Sequence, residues 1–182
     1  DSYTQQTYDG SGDDLLIGGS GADTLDGGAG FDTVDYSASS AGVTAYLNGS
    51  AGLGGDATGD TLSTIEHVVG TGYDDSLAGA GADEWLEGGG GNDTLIGGAG
   101  ADRLDGGAGA DTVDYSASAG AVDVDLAAGS AQGGDATGDV LTGIEVLVGS
   151  SGADTLAGTA GDDTLFGGAG ADLLVGRDGA DE

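Results

Sequence analysis

The chain has 182 residues, of which 43 are Gly and 33 are Asp or Glu, against only two Arg and no Lys, for a formal net charge of -31. A polyanion of this kind repels nucleic-acid phosphates and anionic lipid surfaces rather than binding them. With no Cys, no Lys and one His, thiolate metal sites, phosphate-binding loops of the GxxxxGK[ST] kind and multi-histidine zinc sites are also excluded.

A nine-residue pattern opens the chain. The segment 9–35 reads DGSGDDLLI, GGSGADTLD and GGAGFDTVD, with a carboxylate at the sixth position and an aliphatic residue at the eighth. The same pattern returns at 70–114 and at 149–182. A glycine-rich acidic composition by itself fits disorder, but a random acidic linker would not keep this spacing through a dozen copies.

The pattern predicts a coil. One aliphatic residue in every nine suits a very short strand with one inward side chain, and GGxG suits a tight turn with positive φ. Turn, strand, turn and strand then make one coil of two successive nonapeptides. Residues i and i+18 would stack about 4.8 Å apart on the same side.

Stacked carboxylates predict a cation. At that spacing they repel one another unless a divalent ion lies between them. Carbonyl and carboxylate oxygens, without nitrogen or sulfur, are a ligand set for calcium; magnesium fits less well because it prefers octahedral geometry and retained water. The predicted carboxylate ligands in the repeats are Asp14, Asp23, Asp32, Asp75, Glu84, Asp93, Asp102, Asp111, Asp154, Asp163, Asp172 and Asp181. The predicted turn glycines of the metal sites are Gly18, Gly19, Gly21, Gly27, Gly28, Gly30, Gly88, Gly89, Gly91, Gly97, Gly98, Gly100, Gly106, Gly107, Gly109, Gly167, Gly168 and Gly170.

A spacer at 36–69 follows the first block. Val43–Leu47 alternates at period two, which predicts a longer, half-buried strand, and a turn follows at GGDATGD. Whether Asp56 and Asp60 in this turn bind calcium or only cap it is left open, as for Asp135 and Asp139 in the second spacer. The spacer ends in IEHVVG, which puts Glu66 in the sixth position, two nonapeptides before Glu84.

The second spacer, 115–148, repeats the first at a period of 79: Tyr36 recurs as Tyr115 and Glu66 as Glu145. We therefore expect one continuous roll over 1–182, with wider coils at the two spacers. The stacking register gives Asp93 partners at both 75 and 111, whereas the position one full coil after Asp23 holds Ala41. Asp23 is thus expected to lack an in-register partner there.

The repeat GGxGxDxUx resembles that of the RTX (hemolysin-type) calcium-binding proteins. The resemblance implies an all-β, right-handed parallel β-roll with calcium ions between successive turns on each side. It also implies secretion through a type I exporter and folding outside the cell, where calcium is abundant. Similar IE-x-V-x-G segments precede the repeats of RTX proteases, where the Glu is a calcium ligand, and that role carries over to Glu66 and Glu145.

Trp85 and His67 are both expected to face outward from a strand, Trp85 as a partner contact or simply packed over its neighbours, and His67 as a solvated side chain. Paired carboxylates can hydrolyse glycosidic bonds, but identical repetition favours a structural role, so no enzymatic activity is expected.

The expected function is a calcium-binding structural or interaction module that is largely disordered without calcium. It would belong to a larger exported chain or dock on another protein. The alternative is an accessory domain of a secreted protease, lipase or polysaccharide epimerase or hydrolase. The expected location is secreted or on the cell surface, with the periplasm as the alternative.

Overall fold

The computed structural model describes residues 10–182, so residues 1–9 of the expected roll lie outside the described part. Its strands are short, because most nonapeptides leave only their last three residues extended between glycine turns; β8 and β10 have six residues. The strands are β1 (Leu15–Leu16), β2 (Thr24–Asp26), β3 (Thr33–Asp35), β4 (Thr44–Tyr46), β5 (Thr61–Ser63), β6 (His67–Val69), β7 (Ser76–Ala78), β8 (Trp85–Gly90), β9 (Thr94–Ile96), β10 (Arg103–Ala108), β11 (Thr112–Asp114), β12 (Asp123–Asp125), β13 (Ser130–Gln132), β14 (Val140–Thr142), β15 (Val146–Val148), β16 (Thr155–Ala157), β17 (Thr164–Phe166) and β18 (Leu173–Val175). Two 3-10 turns, η1 (Gly55–Ala57) and η2 (Gly134–Ala136), lie in the spacers.

The strands form two faces. The first face has the order β1-β3-β6-β8-β10-β14-β13-β12-β16-β18, and the second contains β4-β7-β9-β11-β15-β17 and the pair β2-β5. Strands two nonapeptides apart pair in parallel, as in Leu15↔Thr33 and Leu77↔Leu95. The expected parallel β-roll, with two nonapeptides in each coil, is therefore confirmed.

The core lies between the faces and is built from the eighth position of the repeat. Leu25, Leu77, Leu95 and Leu104 are fully buried. Leu174, expected to point inward like the others, is 45% exposed because β18 is the last strand of its face. Within residues 10–182, no helix is long and apolar enough to cross a membrane.

Each spacer widens only one face. At the first spacer, β3 pairs directly with β6 on the first face. On the second face, β5 pairs with β2. The segment 52–53 lies between β5 and β4: Leu53 forms an antiparallel bridge with Thr44, and Gly52 N donates to Asp60 O just before β5. The second spacer repeats this arrangement on the opposite face as β14-β13-β12, with β13 antiparallel to both neighbours.

The spacer strands are shorter than expected. Burial alternates through Val43, Thr44, Ala45, Tyr46 and Leu47, as the sequence predicts. However, β4 and its equivalent β12 each have three residues, like the nonapeptide strands, so the expectation of a longer strand is wrong. The chain turns back on itself after each of them instead of extending.

Candidate metal centre

Stacked acidic residues run along two edges of the roll, where the turns cross between the faces. In each ladder the backbone N–H of the sixth residue donates to the carboxylate of the next coil. Asp75 N donates to Asp93 Oδ1 and Asp93 N donates to Asp111 Oδ1, both at 2.8 Å. The ladder of the first edge contains Asp14, Asp32, Glu66, Glu84, Asp102, Asp139, Asp154 and Asp172. The ladder of the second edge contains Asp23, Asp60, Asp75, Asp93, Asp111, Glu145, Asp163 and Asp181.

Many of these carboxylates keep one oxygen without a donor. Asp93 is 1% exposed and Asp111 is fully buried, and within the described chain the Oδ2 atom of each has no hydrogen-bond partner. An unpaired buried carboxylate oxygen is costly. The carboxylate oxygens in this condition are Asp23 Oδ2, Asp32 Oδ2, Glu84 Oε2, Asp93 Oδ2, Asp102 Oδ2 and Asp111 Oδ2.

The same burial makes the charged form unfavourable. Loss of solvent raises the pKa of Asp93 to about 7, against hydrogen bonding that lowers it. Burial also raises the pKa of Asp102 and of Asp111. These ladder carboxylates therefore need a cationic partner to stay ionised in the folded roll at neutral pH.

Main-chain oxygens from one turn lie against the next turn. Gly107 and Gly109 have positive φ, and a Cβ at either would collide with the carbonyl oxygen of Gly89 or Gly91 in the preceding turn. Only glycine permits this approach. Positive φ occurs at the second and fourth positions of these repeats, whereas the first glycine is needed for a different reason: a Cβ on Gly88 would meet the Asp93 carboxylate of its own repeat.

The residues present fit calcium. Each gap between such turns brings together an unpaired carboxylate oxygen and closely packed backbone carbonyls, which are the hard oxygen ligands calcium prefers. Within residues 10–182 no group of three or more His, Cys, Asp or Glu side chains could hold a metal ion together. The glycine-rich turns offer backbone oxygens as further ligands beside these carboxylates.

The structure corrects the expectation for Asp23. Its N–H donates to Asp60 Oδ1 at 2.8 Å, so Asp60, rather than Ala41, takes the stacked position. Tyr36 donates its hydroxyl to the other oxygen of Asp60 at 3.1 Å. Tyr115 and Asp139 repeat the contact at 2.8 Å, and Asp102 N donates to Asp139 Oδ1. From the sequence, Asp60 and Asp139 were undecided and Tyr36 and Tyr115 had no assigned role, although all four recur at the period of 79.

Glu66 and Glu145 occupy ladder positions. Glu66 Oε2 accepts the N–H of Asp32 at 2.9 Å, and Glu145 Oε2 accepts that of Asp111 at 3.0 Å. After Glu66 the strands regain the register of the repeats, with His67 opposite Trp85. The role of Glu66 and Glu145 as calcium ligands stays a prediction.

Three other predicted ligands meet protein donors at both oxygens. Asp154 accepts from the N–H and the hydroxyl of Ser150, one at each oxygen, and Asp75 is held in the same way by Thr71. At Asp163 the N–H and the hydroxyl of Thr159 are both closest to Oδ2, and the hydroxyl is 3.4 Å from Oδ1. The remaining ones, Asp14, Asp172 and Asp181, are half-buried in the outer coils.

His67 is not the solvated side chain that was expected. It is 9% exposed, stacks on Trp85 with a centroid separation of 4.2 Å, and lies 6.1 Å from Phe31. The guanidinium carbon of Arg103 also lies over the Trp85 ring, 4.7 Å from its centroid. Burial lowers the pKa of His67, which keeps it neutral at pH 7.

Comparison with protein families agrees with this geometry. The RTX calcium-binding nonapeptide repeat family matches in four copies, at 8–34, 55–92, 78–113 and 148–182, which together cover more than half of the chain. The chain belongs to this family. RTX repeats bind several calcium ions and are structural calcium-binding modules, typically of secreted proteins. Comparison with curated proteins gave no match.

Proposed function

We propose that this RTX chain is a structural module whose folding depends on calcium, and that it works as part of an exported protein or docked on a larger assembly. The observation that carries the proposal is the set of buried ladder oxygens without protein donors, such as Asp93 Oδ2 and Asp111 Oδ2.

Without the ion, the chain has little to hold its coils together. In the repeats the interior receives about one aliphatic side chain for every nine residues, and ordering the glycine-rich backbone costs more entropy than this burial returns. The ladders add repulsion between carboxylates held by strands about 4.8 Å apart. Calcium, when bound, supplies the positive charge that offsets this repulsion.

The chain's own groups define the sites. Asp32, Asp93 and Asp111 would each offer one buried oxygen, and the GGxG turns would offer the carbonyls between coils. Since such sites exist only in the stacked coils, binding free energy becomes folding free energy. No part of this arrangement is a unique catalytic constellation, so we also propose that the module has no enzymatic activity.

A calcium titration followed by far-UV circular dichroism tests the proposal. In chelator we expect an expanded coil. Added calcium should give a steep gain of β signal at roughly 10⁻⁴–10⁻³ M, the range of extracellular calcium modules, and magnesium should be much less effective.

Two variants sharpen the titration. Asp111→Asn removes a charge from the ladder and should shift the midpoint to higher calcium. Asp123→Asn removes a charge from an exposed position on β12 and should leave the midpoint in place. A β spectrum that persists in excess chelator, or equal shifts for the two variants, would refute the proposed dependence.

A further inference from the structure

Apart from 79–84 and 176–181, which have Ala80 and Arg177 at the second residue, the turns of the RTX repeats fall into two kinds that differ at that residue. Most have glycine there, as in 88–93 and 106–111. In three turns the second residue carries a hydroxyl: Thr71 in 70–75, Ser150 in 149–154 and Thr159 in 158–163.

The hydroxyl closes the turn on its own carboxylate. Ser150 donates from its backbone N–H to Asp154 Oδ2 at 2.7 Å and from its hydroxyl to Asp154 Oδ1 at 2.8 Å. The same hydroxyl accepts the N–H of Gly152 at 2.9 Å. Thr159 also donates to Asp163, but its N–H and its hydroxyl are both closest to Oδ2, at 2.6 and 3.0 Å, and the hydroxyl is 3.4 Å from Oδ1.

The two kinds of turn also differ in backbone conformation. Gly89, Gly98 and Gly107, at the second position of glycine turns, have φ of 99°, 90° and 95°. Ser150 and Thr159 have negative φ, and so have Gly152 and Gly161 two residues later. The negative φ accompanies an N–H that points at the carboxylate, and Asp154 and Asp163 are consequently not among the buried oxygens left unpaired within the described residues.

The hydroxyl turns occupy a particular place in the roll. The turn at 70–75 stacks on the spacer at Val43, whose N–H donates to Asp75 Oδ1. The turn at 149–154 stacks on Val122 in the same way, and that at 158–163 follows the spacer end at Glu145. Val43 and Val122 bring no carboxylate to the gap, so a divalent ion there would have fewer anionic ligands.

We infer that Thr71, Ser150 and Thr159 close their turns without calcium. Their hydrogen bonds to Asp75, Asp154 and Asp163 take the place of an ion. The inference rests on the proposed calcium module and refines it: calcium occupies the glycine turns, while the three hydroxyl turns are held by the protein alone. The roll then binds fewer ions than it has ladder carboxylates.

The sequence allows a direct test, because two substitutions restore the complete motif. Ser150→Gly gives GGSGADTLA and Thr159→Gly gives GGAGDDTLF, both of the form GGxGxDxUx. Calcium bound per chain would be counted by equilibrium dialysis on the full chain. We expect the double glycine variant to bind two more ions than the native chain, and the control Ser150→Thr with Thr159→Ser, which keeps both hydroxyls, to bind the native number.

Equal ion counts in the native chain and the glycine variant would overturn the inference while leaving the calcium module intact. Absence of calcium binding by the native chain would instead refute the proposed function itself. If the glycine variant fails to fold, Ser150→Ala with Thr159→Ala provides the test: it should lower the unfolding midpoint in saturating calcium without changing the ion count. An unchanged midpoint, or a count that falls, would also overturn the inference.

Discussion

The glycine turns at 88–111 and the spacer turn at 58–60 surround the ladder carboxylate differently. In the glycine turns, Asp93 and Asp111 each keep a buried oxygen that no donor within the described residues reaches. In the spacer, Asp60 receives the N–H of Asp23 at one oxygen and the hydroxyl of Tyr36 at the other. A buried carboxylate can thus be balanced by an external ion or by the protein, and we propose that this RTX roll uses both.

The spacers are not mere linkers, because each supplies a buried tyrosine that donates to a ladder aspartate. Tyr36 and Tyr115 are each 3% exposed and each donates into the ladder at a buried aspartate. The loss of solvent and the proximity of the carboxylate raise the pKa of both phenols, so that they stay protonated as donors. The spacers therefore supply the contacts that carry the ladders past a change in the coil.

The largest effect is expected for Asp93→Ala. Asp93 has ladder neighbours on both sides, Asp75 and Asp111, so its loss disturbs two gaps at once. We expect the free energy of unfolding in saturating calcium to fall by about 3 kcal/mol, as for other buried charges that lose a partner. Denaturant unfolding followed by circular dichroism measures this.

Asp23→Ala is the matched comparison. Asp23 is stacked on Asp60 alone among the described residues, so its loss should cost less, about 1–2 kcal/mol. Equal losses for Asp93→Ala and Asp23→Ala would show that the number of ladder neighbours does not determine the stability of these positions.

A smaller effect is expected for Tyr115→Phe. The substitution keeps the buried ring and removes the donor to Asp139 Oδ2, which should lower the free energy of unfolding by about 1–2 kcal/mol. Tyr73→Phe, at a side chain 51% exposed, is the control and should have little effect.

The number of calcium ions bound by Tyr115→Phe distinguishes the spacer from the glycine turns. Because Tyr115 acts through a protein hydrogen bond, the native chain and Tyr115→Phe should bind the same number of ions. A reduced ion count in Tyr115→Phe would mean that Asp139 is itself a calcium ligand, and the contrast between spacer and glycine turns would be lost.

The regular part of the roll could be predicted from the sequence because its period is strict. The coil of two nonapeptides places Asp75, Asp93 and Asp111 in one ladder and Leu77 above Leu95, and the structure has both. The eighth position fails only at Leu174, on the last described strand of its face, where nothing in the described chain covers the side chain.

The spacers could not be predicted in this way, because the chain reverses within them. Counting two nonapeptides on from Asp23 leads to Ala41, but the antiparallel excursion through 52–53 brings Asp60 beside Asp23 instead. Likewise His67 has the outward position of its strand, yet Trp85 and Phe31 cover it. A periodic pattern specifies the stacking of repeats, but it does not show which side chains of neighbouring coils cover each other.

The most direct test of the central claim is the location of calcium in crystals grown with the ion, from its anomalous scattering. The account predicts ions beside Asp93 Oδ2, Asp102 Oδ2 and Asp111 Oδ2, between glycine turns, and none held within the hydroxyl turns at 149–154 and 158–163. Calcium confined to exposed carboxylates, with the buried ladder oxygens still lacking a ligand, would contradict it.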